Sequence, residues 1–154
     1  MTPFERVVAH LDGLGIEYRL MHHAPTLTSL EAAEIRGVDA SRGAKSLVVK
    51  SKDGMAQFVV PGDALLDWGA VKAAGFRKPR LADEDELLAA TGLTKGSVPP
   101  FGNLFGLPVF IDEDVIDVPL VQFNAASLTD SVDIAGAELV RATGGTVGRF
   151  RARP

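Results

Sequence analysis

Residues 45–61 read Lys45-Ser46-Leu47-Val48-Val49-Lys50-Ser51-Lys52-Asp53-Gly54-Met55-Ala56-Gln57-Phe58-Val59-Val60-Pro61, and this stretch decides the fold class. Two runs rich in β-branched and apolar residues, Lys45 to Lys52 and Met55 to Pro61, flank the turn Lys52-Asp53-Gly54. A short Asp-Gly connection between such runs signals an antiparallel hairpin. On either side the pattern changes period. Phe4, Val7, Val8 and Leu11 recur at helical spacing behind Thr2 and Pro3, and Gly13 and Gly15 end that helix. Further helices are predicted from Thr28 or Ser29 to Gly37, over Asp67 to Ala74, over Asp83 to Thr91 and over Gly136 to Thr143, with short strands at Glu17–Met21, Leu107–Ile111, Leu120–Phe123, Ser131–Ile134 and Thr146–Phe150. Strands and helices alternate without a regular βαβ rhythm. The expectation is an α+β fold, a single mixed-sheet domain over residues 1–154 with helices packed around the sheet.

The chain has 154 residues, of which 46% are hydrophobic and 23% charged, enough for a globular core. It contains no cysteine, which excludes disulfides, thiol nucleophiles and cysteine-bound zinc. No run is long and apolar enough to span a bilayer, and the expected location is the cytoplasm. A net charge of −4 argues against nucleic-acid binding through the overall field. Two local basic groups remain: Lys72, Arg77, Lys78 and Arg80, and Arg141, Arg149, Arg151 and Arg153. Each by itself reads better as a solvated face, and the C-terminal arginines as a mobile tail.

Chemistry is concentrated in two places. Gly96-Ser97-Val98-Pro99-Pro100-Phe101-Gly102 is a loop stiffened by adjacent prolines and opened by glycines, leaving the amides of Gly96, Ser97, Val98, Phe101 and Gly102 as donors. Lys45 opens an apolar strand directly after Gly43-Ala44; it reads either as a surface lysine at a strand end or as a desolvated ammonium aimed at a carbonyl. His22 and His23 supply acid–base capacity near neutral pH or serve packing and capping, and their alternation lets only one face a given pocket. The acids Asp83 to Glu86 suit a helix N-terminus. No metal-ligand spacing, G-x-S-x-G elbow or phosphate-binding glycine loop occurs, so neither metal nor cofactor is expected.

The ordered set His23-x-Pro25-x-x-Thr28 before a helix with Glu31-Ala32, then Gly43-Ala44-Lys45-Ser46-Leu47, then Gly96 to Gly102, resembles the YbaK/ProX family of aminoacyl-tRNA deacylases, relatives of the editing insertion domain of bacterial prolyl-tRNA synthetase. The resemblance covers the chain from the first helix to about Gly136. It implies hydrolysis of the ester joining a wrong, small amino acid to a tRNA, tRNA-Pro or a related one, without a metal. It further implies Lys45 as the catalytic residue near the scissile carbonyl, and a substrate-binding set of His23, Thr28, Ser46, Gly96, Ser97, Val98, Pro99, Pro100, Phe101, Gly102 and Asn124. The implied partners are the acceptor end of the tRNA and an aminoacyl-tRNA synthetase. The chain departs from the family in two ways: Phe123-Asn124-Ala125 stands where many active relatives carry a histidine, and Pro99 where a small polar residue is common. Asn124 hydrogen-bonds but cannot shuttle a proton, which leaves a non-catalytic module gripping an RNA end or a protein as the alternative.

Overall fold

The computed structural model describes residues 1–25 and 42–153; Thr28 and the second expected helix lie outside the described residues. Helix α1 (Pro3–Gly13) starts where the Thr2 side chain accepts from the Glu5 N–H and Glu5 in turn accepts from the Thr2 N–H, a reciprocal cap with Pro3 in the first turn. Strand β1 (Arg19–His22) follows. The decisive hairpin is present as β2 (Ala44–Ser51) and β3 (Gly54–Pro61), paired from Ser51 opposite Gly54 through Ala44 opposite Pro61, with Lys52 and Asp53 as the two turn residues.

Helix α2 (Trp68–Ala73) is capped by Asp67, and α3 (Glu84–Thr91) by Asp83, whose carboxylate accepts from the Glu86 N–H. Between them lies β4 (Arg80–Leu81). Then come a 3₁₀ turn at Gly102–Phe105, β5 (Val109–Asp112), α4 (Glu113–Ile116), β6 (Val121–Asn124), β7 (Asp130–Ile134), α5 (Glu138–Thr143) and β8 (Thr146–Gly148).

These strands form two sheets rather than one. A five-stranded mixed sheet has the order β4-β2-β3-β5-β8, and a three-stranded antiparallel sheet the order β1-β7-β6. A parallel bridge between Gly43 and Gln122 joins them. Strand β3 is central and covered on both faces, which explains its unbroken apolar run Phe58-Val59-Val60. Ala56, Phe58 and Val60 enter a core with Val71, Phe76 and Phe150, where Phe58 stacks on Phe110 with ring centroids 4.9 Å apart. Val59 enters the other core with α1, Phe101, Phe123 and Val132, so the three-stranded sheet packs across that face.

The triplet Asp112-Glu113-Asp114 opens a short helix, because the Asp112 carboxylate caps it by accepting from the Asp114 N–H. One expectation changes here. The C-terminal arginines are held rather than loose: Asp112, fully buried, also accepts from the N–H groups of Phe150 (2.8 Å) and Arg151 (2.9 Å). Arg149 pairs with Glu113, and Arg151 and Arg153 with Asp114.

Candidate active site

The Gly/Pro loop enters the structure from α3 and Leu93, and almost all of it is covered. Gly96 is exposed, while Ser97, Val98, Pro99, Pro100, Phe101 and Gly102 are buried. Val98 packs with Val48, Leu87 and Leu93. The Phe101 ring belongs to the core, edge-on to Phe123 at 5.2 Å, so its side chain serves packing. Two of the five expected donors are committed inside the protein. The Ser97 N–H bonds to the Thr94 carbonyl, to which the Ser97 hydroxyl also donates, and the Gly102 N–H bonds to Gln57 Oε1. Among the described residues the amides of Gly96, Val98 and Phe101 make no hydrogen bond.

Gln57 is the residue that sequence reasoning missed. It is fully buried on β3, and its amide spans the loop, donating from Nε2 to the Pro99 carbonyl (2.9 Å) and accepting at Oε1 from the Gly102 N–H (2.8 Å). The signal was a lone amide inside Met55-Ala56-Gln57-Phe58-Val59-Val60, a position where an uncompensated polar side chain would be costly.

A second hydrogen-bonded chain fixes the loop's other end. Asn124 Nδ2 donates to the Gly96 carbonyl (2.6 Å), Ser131 Oγ meets Asn124 Oδ1 (3.1 Å), and His23 Nε2 meets Ser131 Oγ (2.6 Å) while its Nδ1 meets the Ala24 carbonyl (2.7 Å). The register explains the meeting, since Asn124 lies opposite Ser131 and one strand face carries Asn124, Gln122, Ser131 and Asp133. Immediately beyond, Ala126 holds a left-handed backbone (φ 62°), a conformation that costs a non-glycine residue about 1–2 kcal/mol.

Lys45 lies opposite Val60, and Ser46 opposite Val59. Adjacent strand residues face opposite ways, so Lys45 shares the side of the Phe58 and Val60 core, and Ser46 the side covered by the loop. The Lys45 ammonium donates to the Ala64 carbonyl. It is half-buried, and the loss of water pushes its pKa below the ordinary lysine value, with Asp63 pulling the other way. Lys45 and the loop thus stand on opposite faces of β2. Strand β4 pairs with β2 only at Val49 and Lys50, and the Ala82 N–H takes the Val48 carbonyl. Counting from the hairpin's closing pair, Val48 and Lys50 turn their backbone groups away from β3, and so do Ser46 and Ala44. Among the described residues nothing pairs with Ser46 on that edge, and the Ser46 hydroxyl and Gln122 Oε1 are buried without a partner.

A cavity of about 420 Å³ beside the start of β2 is lined by Arg42, Pro61, Asp114, Asp117 and Arg151 among others. None of the sequence-predicted site residues lines it. Among the described residues no group of three or more histidine, aspartate or glutamate side chains is placed to hold a metal ion, and no helix is long and apolar enough to cross a membrane.

Residues 23–142 match the model of the aminoacyl-tRNA editing domain. The chain belongs to that family. It is 34% identical over 109 residues to the prolyl-tRNA editing protein ProX of Acetoanaerobium sticklandii, covering 68% of this chain and 65% of that protein. It is 29% identical over 143 residues to the multifunctional Ser/Thr-tRNA deacylase ProXp-y of Escherichia coli K12, covering 89% of this chain and 86% of that one. A 98-residue match at 37% identity to the proline–tRNA ligase of Shouchella clausii spans 17% of the ligase and 63% of this chain. A solved structure proposed to be a trans-editing enzyme for prolyl tRNA synthetase superposes with a TM-score of 0.85 at 29% identity, covering 99% of both chains. The editing-domain architecture expected from the motifs is therefore the one observed.

Proposed function

We propose that residues 1–154 act as one editing domain that hydrolyses the ester of mischarged aminoacyl-tRNA in trans, on tRNA-Pro or a related tRNA carrying a small wrong amino acid. The observation that carries this reading is the edge of β2 about Ser46, unpaired among the described residues, with the half-buried Lys45 ammonium on one face of the strand and the pinned Gly/Pro loop on the other. An ester carbonyl seated there has cationic and N–H donors beside the oxygen that becomes negative as water attacks. Such donors stabilise the transition state more than the ground state. Water oxygen bonds to the carbonyl carbon, the bond to the ribose oxygen breaks, and the water proton passes to that departing oxygen; the neighbouring ribose hydroxyl is the nearest group able to relay it. Lys45 is the catalytic residue. His23, Thr28, Ser46, Gly96, Ser97, Val98, Pro99, Pro100, Phe101, Gly102 and Asn124 bind substrate or hold the groups that do, Phe101 through its amide and Asn124 through the Gly96 carbonyl. A synthetase that supplies the mischarged tRNA is the fitting partner, and the cytoplasm the fitting location.

The test is a deacylation screen of purified protein against tRNAs mischarged with alanine, cysteine, serine and threonine, with and without exhaustive chelation. Release of at least one amino acid, unchanged by chelator, is expected. Tight binding of the acceptor end without hydrolysis of any substrate would instead support a binding module, and activity restored only by added zinc or magnesium would overturn the metal-free mechanism.

A further inference from the structure

We propose that Gln57 is a positioning residue for substrate binding, a role that rests on the deacylase reading above. The loop it holds has an unusual deficit. Pro99 and Pro100 have no N–H, so the segment from Pro99 to Gly102 cannot secure itself by a backbone ladder. The Gln57 carboxamide takes the place of a neighbouring strand, with one donor to the Pro99 carbonyl and one acceptor for the Gly102 N–H. Both groups are buried, where an unmade hydrogen bond is costly and an amide with both partners is rigid.

The fit leaves no slack. A Cβ built on Gly102 would lie 3.0 Å from Gln57 Cβ, 3.1 Å from Gln57 Oε1 and 3.2 Å from a Val109 methyl, so glycine is the residue that lets the amide reach the backbone. Turning the Pro99 carbonyl and the Gly102 N–H inward leaves the amides of Val98 and Phe101, both on buried residues, out of this pairing, so the Gln57 amide sets the path of the backbone that carries them. Because Asn124 fixes Gly96 separately, the loop is held at both ends and only the Gln57 end depends on β3. Gln57 touches no substrate; it decides where the loop's donors stand.

The experiment compares wild type with Gln57→Met, which keeps the volume and removes both hydrogen bonds, and with Gln57→Glu. Hydrolysis of the mischarged tRNA that the wild type prefers is followed from pH 5 to 8, alongside hydrogen exchange at Gly102. Val71→Ala, in the opposite core, controls for lost stability. For Gln57→Met we expect Gly102 exchange to accelerate at least tenfold and KM to rise about tenfold, with kcat less affected and Val71→Ala unchanged in KM. For Gln57→Glu the ionised side chain opposes the Pro99 carbonyl, whereas the protonated acid donates to it. Its KM therefore approaches the wild-type value as pH falls, a rescue that carries the proposal even where Gln57→Met fails to fold. Accelerated exchange with an unchanged KM, a KM defect equalled by Val71→Ala, or a Gln57→Glu defect independent of pH would each overturn the proposal while leaving the deacylase reading intact. A wild type that neither hydrolyses nor binds any mischarged tRNA overturns both.

Discussion

Replacing Lys45 by methionine separates its chemical role from its structural one. Methionine keeps much of the apolar stem packed beside β3, and the loss is confined to the ammonium and its hydrogen bond to the Ala64 carbonyl. That charge-assisted bond contributes about 1.5–3 kcal/mol, and releasing a partly desolvated charge offsets part of it, so stability should change by no more than about 2 kcal/mol. Removing one donor to a developing oxyanion costs about 10²–10³ in kcat, or about 2.7–4 kcal/mol. Rate and stability should therefore part company. The pH dependence adds a second signature: burial lowers the Lys45 pKa below 10.5, so the ammonium is lost earlier on the alkaline side than for a free lysine, and wild-type activity falls there. Burying the charge opposes folding below the folded-state pKa, and that penalty fades as pH rises through it toward 10.5. Wild-type stability relative to Lys45→Met should thus rise with alkaline pH. Single-turnover release of amino acid from mischarged tRNA, paired with urea unfolding, reads both quantities. A folded Lys45→Met hydrolysing within about threefold of the wild-type rate would refute the assignment.

Asp112→Ala strips the cap from α4 and leaves the N–H groups of Phe150 and Arg151 without their acceptor; a loss of about 3 kcal/mol is expected, and a change under 1 kcal/mol in urea unfolding would show that the carboxylate does not hold the C-terminal segment. Glu86 accepts from Arg80, the Asp83 N–H and Lys50, which keep its pKa well below the usual carboxylate range. Its contribution is present above the ordinary value of 4.5 and lost as pH falls, so the difference in melting temperature between wild type and Glu86→Gln should shrink in acid, and a difference independent of pH would contradict the linkage. Arg77 and Arg80 are engaged by Asp53 and Glu86, whereas Lys52 and Lys78, brought together by the bond from the Lys52 N–H to the Arg77 carbonyl, form no ion pair among the described residues. Reversing both lysines should weaken tRNA binding and flatten its log–log salt slope by about 0.7 per lost phosphate contact; an unchanged slope would place RNA docking elsewhere.

The hairpin, the cap at Thr2 and the helices beginning near Asp67 and Asp83 were legible because each depends on neighbours in sequence. The division into two sheets was not, since it turns on the Gly43–Gln122 bridge between residues far apart in the chain. Lys45 and the Gly/Pro loop were legible as candidates. Their placement on opposite faces of β2 follows from the alternation Lys45-Ser46, but becomes meaningful only once the loop is known to cover the Ser46 side. The basic groups show the same limit: Arg77, Arg80, Arg149 and Arg151 pair with Asp53, Glu86, Glu113 and Asp114, which lie elsewhere in the sequence, whereas Lys78 forms no ion pair among the described residues. Gln57 was visible as an anomaly without an address, because its partners lie 42 and 45 positions away.

The bare edge of β2 also bears on what the protein must refuse. An unpaired strand edge is a template for any extended polypeptide, including another copy of the same chain. Among the described residues the template is short, the edge about Ser46, stopped at one end by Leu81–Ala82 and at the other by the bridge from Gly43 to Gln122. A foreign strand finds too few free backbone groups there to offset the entropy of ordering it. The compact ester proposed above needs no more than that.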